Sequence, residues 1–437
     1  MKRRAFLAGA AAASAAPLLN SCRAHESASA PASGAAPAGV AADLSDWEQV
    51  RRQFPLDYSW VQMAQFLMAS HPAAVRAAIE THRRGLDENP ALYIEENVGR
   101  CEAATRDAAA AYMGCQRDDL AMTDSTTMGL GLFYGGLKLK PGQEILTTKH
   151  DHPAATHMSL AHAAARTGAP VRRVTLYEKP SEADPDQMAQ ALAREIRPAT
   201  RVVAVTWVHS GTGVRTPIAR FTQAVAAANR GRAEQDRAIL CVDGVHGFGV
   251  EDETIASLGC DVFAAGSHKW IFGPRGTGVL CATPAAWSMS TPTIPSFDRM
   301  WRHGPEMPPA AWMTPGGFHS FEHRWALAEA FKFHQAIGKA RVARRIHELN
   351  EQCKRGLKQI PRVTVHTPLS SDLSSGIVCF EVDGISPEAV VEGLQKRKVI
   401  ASVTPRGYEM HLARLAPSLL TSPPDVDTSL RAIREIV

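Results

Sequence analysis

The sequence predicts an α/β protein, with a mostly parallel sheet covered on both faces by helices and a smaller α+β domain after it. Three observations carry this. From about Pro72 to Trp287, apolar runs of strand length alternate with segments of helical periodicity. Several of the runs are apolar throughout, as buried strands are. After about Ser320 the texture changes to a long helical stretch followed by scattered short strands.

The elements follow in order. Asp184-Pro185 opens a helix with Met188, Leu192 and Ile196 at i, i+4 and i+8. "RVVAVTWV" (Arg201 to Val208) is a buried strand. Pro217 opens a second helix with Ile218, Phe221 and Val225 on one face, ending near Gly231. "AILCVDG" (Ala238 to Gly244) is the next apolar strand and closes on an aspartate. "DVFAAG" and "TGVLCAT" follow as short strands. Beyond Ser320, a helical stretch from Glu322 to Ile360 leads to the strand "GIVCFEV" and a helix start at Ser386-Pro387. The strand-like "VIASV" and "HLARLA" come next, and a last helix starts near Pro424. The expected partition is an N-terminal segment over 44–71, a large domain over 72–319 and a small domain over 320–437.

The N-terminus reads as an export signal. "MKRRAFLAGAAAASAAPLLNSC" has a basic start, an Ala/Leu stretch and small residues before Cys22. Arg3-Arg4-Ala5-Phe6-Leu7 resembles the twin-arginine pattern read by machinery that exports folded proteins. "LLNSC" also resembles a bacterial lipoprotein cleavage site, with Cys22 as the lipidated residue and Asn20 unusual there. Residues 23–43 are rich in Ala, Ser, Pro and Gly and read as a flexible tether. A periplasmic location is therefore expected, free or anchored at Cys22. Removing Lys2, Arg3 and Arg4 with the signal leaves 45 basic against 44 acidic residues. That balance provides no basic footprint for nucleic acid. The eight cysteines include no CxxC pair, and Cys241, Cys281 and Cys379 lie in apolar strand-like runs as small core residues.

Four features fall at strand ends or strand-to-helix turns, where ligands sit in parallel α/β sheets. Asp243 closes an apolar strand, where a carboxylate is costly unless paired. Its partner is either a cationic ring nitrogen of a cofactor or a structural group, and His246 follows within reach of the same ligand. "TDSTTMGLG" (Thr123 to Gly131) places Ser and Thr at a helix start, which is an anion site suited to phosphate or a plain N-cap. "KHDHPAATHM" (Lys149 to Met158) offers His150, Asp151, His152 and His157 without the helical spacing of a metal motif. An imidazole stacked on a cofactor ring is the better reading of that stretch, and a surface turn is the plain one. Arg414, in "HLARLAPSLL", needs an anion and is suited to gripping a carboxylate; an internal acid is the alternative. Finally, "AAGSHKWIFGPRGTG" (Ala264 to Gly278) sets Lys269 in apolar, Gly-rich surroundings that lower an amine's pKa and free it as a nucleophile or base.

In this order and spacing, Asp243-Gly244-Val245-His246 followed by Ser267-His268-Lys269-Trp270 resembles the class V aminotransferase family of fold-type I pyridoxal 5'-phosphate (PLP) enzymes. The resemblance is strongest to the isopenicillin-N epimerase-like and cysteine-desulfurase-like branches and runs from about Asp46 to Val437. It implies a large domain with a mostly parallel, seven-stranded-type sheet and a smaller α+β C-terminal domain. It also implies that Lys269 forms the internal aldimine and shuttles the Cα proton, and that Asp243 partners the pyridine nitrogen. His246 and Ser210 then fall near the ring hydroxyl, and His152 stacks on the ring. Ser125, Thr126 and Thr127 form the phosphate cup, which Ser267 and His268 complete. Arg414 grips the substrate carboxylate. The family also shares its active sites across a homodimer through a Gly-rich loop; "MTPGGFHSF" is the candidate, with Gly316-Gly317 where a Gly-Thr pair is usual.

The expected activity is that of an aminotransferase-like enzyme on the α-amino group of an amino acid or small peptide-like amine. Epimerisation and Cβ-elimination are the alternatives, and a non-catalytic envelope protein is a third. Desulfurases carry a nucleophilic cysteine shortly before the matched arginine, and "KVIASVTPRGYEMHL" (Lys398 to Leu412) contains none. Epimerisation needs a second proton donor, for which His152 is a candidate.

Overall fold

In the computed structural model, which describes residues 43–298 and 307–437, the first strand, β1 (Val61–Gln62), pairs with a strand some 340 residues later in the chain. The expected signal with Arg3, Arg4 and Cys22, and the tether up to Ala42, lie outside the described residues. Ahead of β1, the Asp46 side chain caps a short helix, Trp47–Arg52, by accepting from the Glu48 N–H.

Seven strands form the central sheet: β2 (Leu120–Thr123), β3 (Glu144–Thr148), β4 (Val171–Val174), β5 (Thr200–Thr206), β6 (Ile239–Asp243), β7 (Val262–Gly266) and β8 (Gly278–Ala282). Their order is β2-β8-β7-β6-β5-β3-β4. The pairs from β7 through β4 are parallel, and β8 runs antiparallel between β2 and β7. Both faces are covered, which is why the strands read as unbroken apolar runs. On β5, Val203 and Val205 enter one core with Leu240, Val242 and Phe263. Val202 and Ala204 enter the other with Ile239, Cys241 and Ala264.

The C-terminal part contributes β9 (Val363–Val365), β10 (Val378–Val382), β11 (Val399–Ile400), β12 (Ser402–Val403) and β13 (Ala413–Leu415). β12-β13-β10-β9 make an antiparallel sheet, and β11 pairs in parallel with β1. Two expectations need correction. The stretch from Glu322 to Ile360 is two helices, Phe321–Ile337 and Lys339–Lys358, because Gly338 sits at φ +93°, which no helix continues through. "VIASV" is likewise two strands, divided at Ala401, each serving a different sheet.

A third core joins the N-terminal segment to the rest. Phe54 and Phe66 pack with Trp270, Phe272, Phe333, Ile377 and Leu412. This cluster lies directly behind the Lys269 segment and holds it between two parts of the chain distant in sequence.

Candidate active site

The carboxyl ends of β2, β3, β5, β6 and β7 deliver the residues the sequence singles out. Thr206, Asp243 and Ala264 lie side by side across β5, β6 and β7. Asp243 is buried, and among the described residues its side chain has only the Val245 N–H at 3.3 Å and the Thr156 hydroxyl at 3.5 Å as partners. Burial pushes its carboxyl up to about 6, against the opposing pull of the Val245 N–H and the Lys269 charge. A carboxylate this poorly compensated takes either a proton or a cationic ligand group.

Three residues beyond β7 comes Lys269. Around it the chain turns tightly: Gly273 N–H donates to the Ser267 carbonyl at 2.8 Å, and Phe272 adopts φ +57°. Lys269 Nζ lies 3.2 Å from His246 Nε2, and Trp270 Nε1 donates to His246 Nδ1 at 3.3 Å. Indole N–H is a donor only, so Nδ1 is the acceptor and the imidazole proton sits on Nε2. That proton points at the lysine nitrogen, which must offer a lone pair. Lost hydration lowers the amine to about 8, with Asp243 raising it and Arg414 lowering it further. The apolar surroundings thus have the effect read from the sequence. His246 itself is held neutral by burial and by the nearby Lys269 charge.

The Ser125–Thr127 turn starts the helix Thr126–Gly135. Here two hydroxyls each accept a backbone bond and keep their O–H free to donate. Ser125 Oγ accepts from the Met128 N–H at 3.1 Å, and Thr126 Oγ1 accepts from the Gly266 N–H at 2.8 Å. An anion can take these two O–H groups, the Thr126 and Thr127 N–H pair, the exposed Thr127 side chain and the buried Ser267 Oγ, which has no partner among the described residues. A Cβ on Gly278 would come within 3.1 Å of Ser125 N, and one on Gly266 within 2.8 Å of the His268 ring. Glycine at both positions leaves that cradle open. His268 is lowered to about 4 by burial and Lys269.

The histidine-rich stretch disperses. His157 bonds the Thr148 carbonyl at 2.8 Å, and His150 stacks on Tyr177 with centroids 3.9 Å apart. Asp151 ties β3 to β5, accepting from Thr147 Oγ1, Thr148 N–H and Thr206 N–H, each at 2.7 Å. His152 alone stays by the site. Its Nδ1 accepts from the Ala154 and Ala155 N–H groups at 3.2 and 3.1 Å, so its proton is on Nε2. Burial, Lys269 and Arg414 lower it to about 4.

Arg414, in the middle of β13, is buried without a carboxylate partner among the described residues. Nε donates to Ser402 Oγ at 3.2 Å, one terminal nitrogen to the Ser210 carbonyl at 3.1 Å and the other to the Val403 carbonyl at 2.7 Å. A guanidinium has five N–H groups, so one remains on each terminal nitrogen, a fork of the kind that takes a carboxylate. Phe66 lies under the charge, 4.8 Å from ring centroid to Cζ.

Gly316 and Gly317 are placed away from this cluster, against Pro295–Phe297. Gly316 sits at φ +73°, and a Cβ on Gly317 would meet the Phe297 ring at 2.4 Å. Sequence reasoning missed Phe66 and Tyr408. Tyr408 Oη lies 2.6 Å from Ser210 Oγ, and its ring meets His152 edge-on at 5.6 Å. Neither residue belongs to a periodic pattern that would have flagged it.

This fold and site are those of a fold-type I PLP-dependent enzyme. The uncompensated Asp243, the unpartnered Ser267 hydroxyl and the glycine-lined helix start all fit pyridoxal phosphate, which is the cofactor. The chain belongs to the class-V aminotransferase family, whose model matches residues 91–415. It is similar to the isopenicillin N epimerase of Streptomyces clavuligerus, 26% identical over 399 residues, covering 88% of this chain and 96% of the relative. A probable cysteine desulfurase of Vibrio cholerae is 25% identical over 295 residues, covering 64% of this chain and 67% of the relative. Among solved structures, a lysine-to-alanine mutant of C-DES with glycine covalently linked to the PLP cofactor superposes with a TM-score of 0.79 at 22% identity. That match covers 88% of this chain and 99% of the other.

Proposed function

We propose that this enzyme moves the Cα proton of an α-amino acid or small peptide-like amine bearing a free carboxylate, with epimerisation as the outcome. The observation that carries the reading is Arg414, a buried cation with one uncommitted N–H on each terminal nitrogen and no acid paired with it among the described residues. It shares electrostatic influence with Lys269 and His152. The similarity to an isopenicillin N epimerase over nearly the whole of both chains supports the choice of outcome.

When bound, pyridoxal phosphate supplies an electron sink that acidifies the substrate Cα–H bond. The chain's own residues do the rest. Asp243 holds the proton on the ring nitrogen, and burial gives it no other strong partner. The Thr126 and Thr127 N–H groups and the hydroxyls of Ser125, Thr126, Thr127 and Ser267 would hold the phosphate, with His268 beside them. His152 would stack on the ring, and His246 and Ser210 would border its hydroxyl. Arg414 fixes the substrate by its carboxylate, which orients the Cα–H bond. Lys269, its amine lowered to about 8 by its surroundings and faced by the His246 Nε2 proton, would anchor the cofactor and serve as the base at Cα. Aminotransfer uses the same Lys269 and Arg414 and differs in where the proton returns; the family's description favours it as the second reading.

The deciding experiment screens paired L- and D-amino acids in D2O with a keto acid present. Appearance of the mirror-image amino acid with Cα deuterium supports epimerisation. Stoichiometric formation of the substrate's keto acid without its antipode refutes it in favour of aminotransfer.

We further propose a homodimer in which Gly316-Gly317 approaches the phosphate of the neighbouring copy, consistent with exposed Leu67, Met68, Leu92 and Trp312. A monomer by sedimentation would refute it. The Arg3-Arg4 pattern supports export of the folded, loaded enzyme by the twin-arginine route to the periplasm, with Cys22 as the candidate anchor. Lys-Lys in place of Arg3-Arg4 should strand the protein in the cytoplasm.

A further inference from the structure

We propose that Tyr408 is a second proton-carrying catalytic residue, serving the substrate Cα from the Ser210–His152 side while Lys269 serves it from the His246–Trp270 side. This deepens the epimerase reading and rests on it.

The placement is specific. Tyr408 lies on the connection between β12 and β13, which doubles back over the exit of β5. Its ring closes over Gly211, where a Cβ would come within 2.6 Å of the ring, so the approach requires glycine there. Three contacts fasten the connection. Thr404 ties its two ends together, its N–H donating to the Leu412 carbonyl at 2.9 Å and its Oγ1 accepting from the Leu412 N–H at 2.9 Å. Gly407, at φ +99°, rests on Pro153, beside His152. Glu409 meets His150 Nδ1 at 2.8 Å, and Leu176 N–H donates to the other ring nitrogen at 3.2 Å, which fixes the imidazole proton toward the carboxylate.

Ser210 links the phenol to the substrate grip. Its hydroxyl meets Tyr408 Oη at 2.6 Å, and its carbonyl takes a bond from Arg414 at 3.1 Å. A carboxylate seated on Arg414 therefore brings its Cα next to Tyr408. The two proton carriers sit in separate hydrogen-bonded clusters, Lys269 with His246 and Trp270, Tyr408 with Ser210 and the His152 ring. His152 is the weaker donor, because its Nδ1 is spent on the Ala154 and Ala155 N–H groups and its ring is held neutral. Tyr408 keeps its proton at neutral pH, since burial raises the phenol strongly while Ser210 and Arg414 favour the phenolate.

The step balances without an added reactant. The Cα proton passes to the Lys269 amine, and the C–H electron pair remains with the substrate. It re-forms a C–H bond with the Tyr408 proton on the other side. Lys269 is then an ammonium and Tyr408 a phenolate, and proton exchange with water restores both. The reverse direction starts from the Lys269 ammonium and Tyr408 phenolate form, reached by the same proton exchange with water: the phenolate takes the Cα proton and the ammonium returns one on its own side.

The test uses the PLP-loaded enzyme and Tyr408→Phe, which removes one oxygen and keeps the ring on Gly211 and His152. Cα deuterium exchange in D2O is followed by NMR for each antipode of the amino acid that the native enzyme exchanges fastest. The proposal expects native exchange of both antipodes, and in Tyr408→Phe a loss of at least about 100-fold for one antipode with the other within about tenfold. The visible cofactor spectrum and PLP affinity should be unchanged. Equal loss for both antipodes, or for neither, overturns the role of Tyr408 and leaves the epimerase reading standing. Native exchange of a single antipode overturns both. If Tyr408→Phe does not fold or load, 3-fluorotyrosine at position 408 replaces it; this more acidic phenol must change the rate of one antipode only, and a change in both or in neither overturns the proposal.

Discussion

Replacing Arg414 by lysine separates the recognition of a carboxylate from everything else the site does. The native guanidinium spends three N–H groups on Ser402, Ser210 and Val403 and keeps two, one on each terminal nitrogen. A charge-assisted hydrogen bond contributes about 1.5–3 kcal/mol. Lysine keeps the positive charge but offers a point donor in place of the fork, so one of the two bonds is lost. At about 1.4 kcal/mol per tenfold, affinity for an amino acid should fall roughly 10- to 150-fold. The corresponding amine without its carboxylate should bind native and variant alike, because the fork has nothing to hold. The assay is a titration of the bound cofactor's visible absorption with each ligand, giving a Kd for both proteins. The carboxylate-free ligand also controls for disturbance of the Ser210 and Val403 carbonyls, which would affect both ligands. Equal loss of affinity for amino acid and amine would refute the assignment of Arg414 as the carboxylate grip.

Two further outcomes follow from the charges of the cofactor-free protein. The Asp243 carboxyl, raised from 3.8 to about 6, stabilises the fold when protonated, fully below pH 4, and that stabilisation is lost as pH rises through 6. The loss is about 3 kcal/mol at most, and denaturant titrations of Asp243→Asn should show the pH dependence in this window gone; an unchanged profile would place the titration elsewhere. Uptake of PLP needs the unprotonated Lys269 amine, so its rate should rise with pH to a plateau with a midpoint near the amine's value of about 8. Because Asp243 raises that value, Asp243→Asn should move the midpoint down, and an upward move would contradict the coupling.

How legible the site was in the sequence depended on distance along the chain. Asp243 and Lys269 stood out because each belongs to a short unit, a strand end and a tight turn, whose local chemistry is unusual on its face. The way the expected phosphate cup is anchored to the rest of the chain was not legible. Ser125 and Thr126 turn their hydroxyls onto Met128 and Gly266 N–H, the second a contact across 140 residues. No spacing rule shows which backbone N–H a hydroxyl accepts from. The break at Gly338 was hidden because glycine is tolerated within a helical pattern, and only the backbone angle shows that the helix ends there. Tyr408 and Phe66 were invisible for a third reason. Each reaches the site from a segment without periodicity, and only the tertiary fold shows Phe66, from before the central sheet, under Arg414 and Tyr408, from the loop just ahead of Arg414, turned onto Ser210.

The same tertiary arrangement makes the charge of the site collective. Arg414 and, when protonated, Lys269 are its cations, and Asp243 is its buried acid. His152, His246 and His268 are each kept neutral, in all three cases first by burial and then by Lys269. Three neutral imidazoles can line such a site without adding to the repulsion between its two cations. Arg414 also lowers the Lys269 amine. A substrate carboxylate bound to the guanidinium would cancel that influence. The amine would then regain basicity when a correct substrate is seated, and a ligand without a carboxylate would leave it the weaker base. Discrimination at Arg414 is in this way felt in the proton transfer as well as in binding, so a carboxylate-free amine should lose rate beyond what its poorer affinity accounts for.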